Sequence, residues 1–214
     1  MNTKIVIGCD KKKIKRYRRL CEKREYDADV QILEMGTNMV QNQAYKDADI
    51  ILLSIKKICD YIRYILYCNQ TDNPKVILMV NNKIPLMNYL RRILKCKRIY
   101  SNDHQITVIE NILDIIAYKK RLQITHTDLL NTCSLMEIRS EYCEGTKEML
   151  LVKAALDWKK NTLEKCCLIY VKGNFELSLA SEIFELIHLT DDVRFDCNYR
   201  EHEPIGVFTL WVEN

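Results

Sequence analysis

Cys166-Cys167-Leu168-Ile169-Tyr170-Val171-Lys172-Gly173-Asn174-Phe175-Glu176-Leu177-Ser178-Leu179 carries the plainest structural instruction in the chain. Cys166 to Val171 is an uninterrupted apolar run of strand length. Gly173 then permits a sharp exit, because a residue without a Cβ can turn where others clash. Ser178 is placed to cap the following helix, 179–188, with Glu182 positioned to close the hydrogen-bond ring.

Towards the C-terminus, 193–199 and 207–212 are two further strand-like runs. No helical pattern separates them, so they are expected to pair as a hairpin. Towards the N-terminus, 147–158 reads as a helix, 135–141 as a strand and 128–133 as a short helix. Before these lies a long amphipathic helix, about 105–120, with Ile106, Ile109, Leu113, Ile116 and Ala117 on one stripe. The first hundred or so residues have another rhythm. Residues 4–9 read as a strand, 11–24 as a very basic helix and 29–33 as a weaker strand. The runs 49–54 and 75–80 are continuously apolar, as in parallel strands covered on both faces, and Ile58, Ile62, Ile65 and Leu66 lie between them at helical spacing. This strand–helix–strand alternation predicts an α/β protein with a wound parallel sheet. The expected organisation is a reduced Rossmann-like domain over 1–103, a rigid joining helix over 104–122, and an α+β domain with a mixed sheet over 123–214.

With 48% hydrophobic and 29% charged residues, the 214-residue chain can bury a substantial core and is not a disordered segment. No apolar run approaches the roughly 20 residues that span a bilayer. The first residues lead directly into a strand without a signal-peptide layout, so a cytoplasmic location is expected. The ten cysteines include no CxxC pair and no Cys/His cluster with zinc spacing. Several, such as Cys59, Cys68, Cys133 and Cys197, sit in apolar runs and read as buried reduced thiols. Cys166 and Cys167, as strand neighbours, should face opposite ways, which argues against a redox pair. No metal site is expected. No Ser/His/Asp or Cys/His constellation points to an enzyme of another kind.

The segment 166–179 resembles the C-terminal domain of FtsZ, where an apolar strand runs into Gly-Gly-x-Asp-Leu-Thr/Ser-Leu and then a helix. Leu135-Met136-Glu137-Ile138 is similar to the family's Leu-Met-Gly-Ile strand, and Gly145 with the helix 147–158 resembles the turn and helix next in the family's order. Ile112-Leu113-Asp114-Ile115-Ile116 resembles the end of the family's central helix, and 193–196 with 207–212 its closing strands. The order and spacing of these pieces agree over about the last 110 residues. The N-terminal part is shorter and resembles the family in strand rhythm, with Ala48-Asp49-Ile50-Ile51-Leu52-Leu53 where FtsZ has the strand entering its main phosphate loop. The resemblance implies a shortened, divergent tubulin/FtsZ-like fold.

The same resemblance implies that GTP chemistry is gone. A phosphate loop needs glycines so that backbone N–H groups can surround the oxygens. Where FtsZ has Gly-Gly-Gly-Thr-Gly-Thr-Gly, this chain has Ser54-Ile55-Lys56-Lys57-Ile58-Cys59-Asp60. After the first strand Gly8 stands alone before Cys9-Asp10-Lys11-Lys12-Lys13. The family's hydrolytic loop, Asn-x-Asp-x-x-Asp, falls on Gln123-Ile124-Thr125-His126-Thr127-Asp128. Only Asp128 keeps its carboxylate there, and it also suits a helix N-cap; Thr125 cannot replace an anion. Asp103 matches either the family's strand-end Asp or its purine-contacting Asp. The expectation is no nucleotide cofactor and no catalytic residue, with Gln123, Thr125 and Asp128 marking a degenerate loop and Ser54, Lys56 and Lys57 a degenerate cradle.

The densest charge cluster is Lys11, Lys12, Lys13, Lys15, Arg16, Arg18 and Arg19, extended by Lys23 and Arg24; a second comprises Arg91, Arg92, Lys95, Lys97 and Arg98. Such clusters suit either a solvated face or an anionic partner, whether nucleic acid, acidic membrane surface or acidic protein tail. The net charge of +4 is low for a dedicated DNA-binding protein. Three functions stand as expectations. The first is a non-catalytic FtsZ-like structural or regulatory protein in bacterial cell division or filament assembly, its partner itself or an FtsZ-like protein. The second is a divergent polymerising GTPase. The third is a nucleic-acid-binding adaptor using the basic helix.

Overall fold

The computed structural model describes residues 3–24, 26–36, 39, 41–55, 77–81, 97–101, 103–118, 124, 129, 137–158, 164–187 and 193–213. The chain divides into two compact units, Met1–Lys119 and Lys120–Asn214. The first carries 22 Lys and Arg against 13 Asp and Glu, a formal +9; the second carries 11 against 16, a formal −5.

The first unit is a parallel sheet built from β1 (Thr3–Cys9), β2 (Ala28–Glu34), β3 (Ile50–Ile55), β4 (Ile77–Asn81) and β5 (Lys97–Tyr100), in the order β2-β1-β3-β4-β5. Neighbours are parallel throughout, with Ile5 opposite Val30 and Ile50, and Ser54 opposite Val80. Every residue of β3 is buried, which is why its sequence shows no alternation. The edge strand β2 does alternate, in keeping with its weaker strand signal. Helix α1 (Lys11–Glu22) comes after β1, and the short α2 (Gln43–Asp47) precedes β3. Helix α3 (Gln105–Ala117) buries nearly its whole length from Val108 to Ala117. That burial includes Asp114, which lies 3.8 Å from Arg24 Nε and accepts a hydrogen bond from Tyr26 at 3.4 Å. Arg24 also pairs with Glu110 at 2.6 Å, and Asp27 N donates to Ala117 O at 2.6 Å, fixing the end of α3 to the α1–β2 turn.

The second unit contains β6 (Glu137–Glu144), α4 (Lys147–Lys153), a π-helical turn Ala154–Trp158, β7 (Glu164–Gly173), α5 (Leu177–Ile187), β8 (Arg194–Tyr199) and β9 (Gly206–Glu213). Its strands are ordered β6-β9-β7-β8, antiparallel at β6/β9 and β9/β7 and parallel at β7/β8. This corrects the expected hairpin. β8 and β9 do not pair; β7 lies between them. The cause is α5, whose length makes the crossover that lets β8 lie parallel to β7. The chain then crosses the end of β7 to reach its other side.

Gly173 is where that crossing touches. Its φ is +105°, and a Cβ there would come within 2.1 Å of Pro204 O. Asn174 N donates to Glu203 O at 2.9 Å, and Arg200 N to Gly173 O at 2.8 Å. The glycine therefore serves a contact with a distant loop as well as a turn. The expected cap at Ser178 is also corrected. The helix begins at Leu177, Ser178 Oγ donates to Glu176 at 3.3 Å, and Glu182 pairs with Lys147 at 3.3 Å. Trp158, Trp211, Ile169, Leu179 and Ile183 centre the apolar core of this unit.

Candidate functional site

In a wound parallel sheet, ligands enter outside the carboxyl ends of the strands, where strand order reverses. Here the reversal is at β1, flanked by β2 and β3. Four side chains meet at the neighbouring end of β3. Lys13 Nζ, from the first turn of α1, donates to Ser54 Oγ at 3.0 Å and to Gln105 Oε1 at 2.6 Å. Tyr17 OH donates to Ser54 Oγ at 3.0 Å, and Ser54 Oγ donates to Gln105 Oε1 at 2.8 Å. Gln105 Nε2 donates to the carbonyls of Ile55 and, at 3.0 Å, Val80. Ser54 and Tyr17 are each 1% exposed. Burial, only partly offset by the bond to Ser54, pushes the Tyr17 phenol up to about 12, so it stays protonated and donating. The strand ends are thus closed by side chains that satisfy one another.

A triphosphate needs open backbone donors, and the described residues here offer few. The Asp10 carboxylate accepts from Lys12 N at 2.9 Å, so the N-terminus of α1 already holds an anion. Gly8 is not an open cradle: a Cβ there would meet Leu53 Cδ2 at 2.6 Å and Tyr45 Oη at 2.8 Å. It is glycine because neighbouring side chains press on the backbone. The Asp10 cap and the packing around Gly8 leave these two positions without open backbone donors for a phosphate group. Lys56 and Lys57 and the loop residues Gln123, Thr125 and Asp128 lie outside the described residues. Asp103, just before α3, is engaged by Ser101, whose Oγ donates to its carboxylate at 3.0 Å. Among the described residues no cluster of His, Cys, Asp or Glu could hold a metal ion.

No family model and no curated protein matches the sequence. Solved structures do match in shape. CetZ from Methanosaeta thermophila strain DSM 6194 aligns with 100% of this chain and 87% of its own, at 11% identity and a TM-score of 0.59. CetZ1 from Haloferax volcanii, a GDP-bound monomer, aligns with 99% and 94% at 8% identity and a TM-score of 0.59. TubZ from Bacillus thuringiensis serovar israelensis, as GDP-form protofilaments, aligns with 98% and 84% at 9% identity and a TM-score of 0.54. The fold is tubulin/FtsZ-like. The parallel sheet together with a mixed sheet agrees with the expected fold class.

Within this tubulin/FtsZ-like fold, α1 carries most of the sequence-predicted site residues, and it divides them. At about 100° per residue, Leu20, Lys13, Arg24, Tyr17, Cys21 and Ile14 share the inner arc. Lys11, Lys12, Lys15, Arg16, Arg18, Arg19 and Lys23 are exposed on an outer arc with Glu22. Lys13 therefore leaves the expected patch and joins the closed cluster. No ion pair holds any of the seven outer cations among the described residues. Four like-charged i,i+4 pairs (Lys11/Lys15, Lys12/Arg16, Lys15/Arg19, Arg19/Lys23) each cost about 0.2–0.5 kcal/mol. The first turn carries no acid to offset its cations. Of the second cluster, Lys97 and Arg98 lie in β5, and Arg91, Arg92 and Lys95 are outside the described residues.

Sequence reasoning missed Tyr17 and Gln105 as partners of Ser54. Tyr17 had a readable signal, being aromatic on the inner arc of a cationic helix. Gln105 had none, since its contacts lie 25, 50 and 92 residues away. In the second unit Met149, Val152 and Leu156 are more than half exposed, beside a groove of about 540 Å³ lined by Leu151, Val152, Ala155, Leu186, Glu182 and Glu185. No described helix is long and apolar enough to cross a membrane.

Proposed function

We propose that this chain is a non-catalytic FtsZ-like structural or regulatory protein, acting through protein–protein contacts in cell division or filament assembly, with GTP binding and hydrolysis lost. The observation that carries the reading is the closed cluster of Lys13, Ser54, Tyr17 and Gln105 at the sheet's switch point, beside an α1 N-terminus capped by Asp10. The sequence of the hydrolytic position supports it, since Asp128 is the only carboxylate kept there. TubZ, a structural neighbour, is described as protofilaments, which supports assembly as the retained property. The opposite formal charges of the two units suit attraction between unlike units of two copies.

Calorimetric titration with GTP tests the nucleotide half of the proposal. No heat is expected up to millimolar GTP, and micromolar binding would overturn it. Sedimentation of the pure protein, with and without GTP and with authentic FtsZ, tests the assembly half. Pelleting independent of GTP is expected, and a monomer unchanged in every mixture would remove the filament reading.

A further inference from the structure

We propose that the outer arc of α1 is a binding surface for the phosphate backbone of double-stranded nucleic acid, read without regard to sequence. Lys11, Lys12, Lys15, Arg16, Arg18, Arg19 and Lys23 cover one face of a helix about 18 Å long. Along one duplex strand that length faces about five phosphates. Three of the cations are arginines, whose planar donors suit phosphate oxygens. The charge belongs to the unit, not the helix alone, since residues 1–119 carry a formal +9. The chain-wide value of +4 conceals this, because the second unit is acidic.

Two features favour a duplex backbone, one over a lipid surface and the other over a single strand. A helix that seats in a bilayer interface inserts apolar side chains, and the outer arc has none. Its apolar residues, Ile14, Tyr17, Leu20 and Cys21, lie on the inner arc, with Tyr17 buried. The absence of an exposed aromatic on the arc also removes a stacking platform for single strands, leaving phosphate contacts as the binding term.

The test is fluorescence anisotropy with the full chain and a labelled 30-base-pair DNA duplex of arbitrary sequence. Micromolar binding is expected at 50 mM KCl, with log Kd rising against log salt with a slope of about 4–5, or about 500-fold weaker binding at 200 mM. Arg16→Glu is expected to weaken binding about tenfold or more. Lys46→Glu, an exposed site on α2, makes the same change in net charge and is expected to alter binding less than twofold. No binding at 50 mM salt would overturn the proposal, as would equal losses for the two variants. Binding to vesicles with about a third phosphatidylserine, without binding to the duplex, would assign the face to membranes and overturn it as well. Circular dichroism of each variant separates lost binding from lost structure.

Discussion

Replacing Gln105 with Ala discriminates a structural closure from a vacant binding site. In the structure its amide donates to the carbonyls of Ile55 and Val80, residues 0% and 1% exposed, and its oxygen accepts from Lys13 and Ser54. Truncation leaves two buried carbonyls without that donor, at about 1 kcal/mol or slightly more each, and takes one acceptor from Lys13 and Ser54 at about 1 kcal/mol together. The expected loss is about 3 kcal/mol. With a urea slope of about 1.5 kcal/mol per molar, the midpoint measured by far-UV circular dichroism falls by about 2 M. Gln105→Glu keeps an acceptor for Lys13 but loses both donors, so it should cost about 2 kcal/mol. Polar groups kept for ligand binding behave differently, because they are held at some expense of stability and their removal is neutral or stabilising. A loss below about 1 kcal/mol for Gln105→Ala, or any gain, would refute the reading of this cluster as a structural closure.

Gly173→Ala combines a left-handed φ with a backbone clash at Pro204, and about 3 kcal/mol or more of destabilisation is expected, read as a drop in thermal midpoint. Lys12→Glu removes two like-charge neighbours and puts an acid in the first turn of α1, so the thermal midpoint should rise by about 2–4 °C. In the second unit, burial would raise the Glu141 pKa, but bonds from Lys153 at 2.7 Å and Arg139 at 2.9 Å prevail and lower it. Its contribution is complete above the ordinary carboxylate range near 4.3 and lost as pH falls through the depressed value. Urea midpoints should therefore decline below about pH 5, and Glu141→Gln should lower stability at pH 7 by about 1–2 kcal/mol, read as a urea midpoint about 1 M lower, and flatten that decline.

The elements legible in sequence are those whose signal is local. β3 and β7 are apolar runs, α3 shows a stripe, and α1 announces itself by charge and by Asp10 at its start. The hairpin expectation fails because sequence shows which segments are strands but not which strand enters between them. The strand pairing and the touch of Pro204 on Gly173 reveal that the β8–β9 connection crosses β7. A bulge between Cys166 and Leu168 likewise shifts the register of β7 against β9, an irregularity that the apolar run does not announce. At the site, missing glycines are visible in sequence because absence needs no geometry. The closing cluster is not, since a glutamine at the start of one helix gains meaning only from two strand ends and a lysine far away in the chain.

Helix α1 ties the two proposals together while keeping them separable. Its inner arc places Lys13 and Tyr17 against Ser54, and its outer arc holds cations that make the helix less stable than a mixed-charge surface would. Solubility alone does not call for seven cations on one face, because interspersed acids serve that end without the repulsion. The inner arc, by contrast, requires one lysine at one position. Under the proposed loss of nucleotide binding, the helix can bear both loads, since the Asp10 cap and the buried Tyr17 anchor it where phosphate binding would demand bare amides. Substitutions on the two arcs should accordingly act in opposite senses. Outer changes to Glu should raise stability while weakening duplex binding, and Lys13→Met should lower stability and leave duplex binding within about twofold. A Lys13→Met variant that lost duplex binding as fully as Arg16→Glu would break that division.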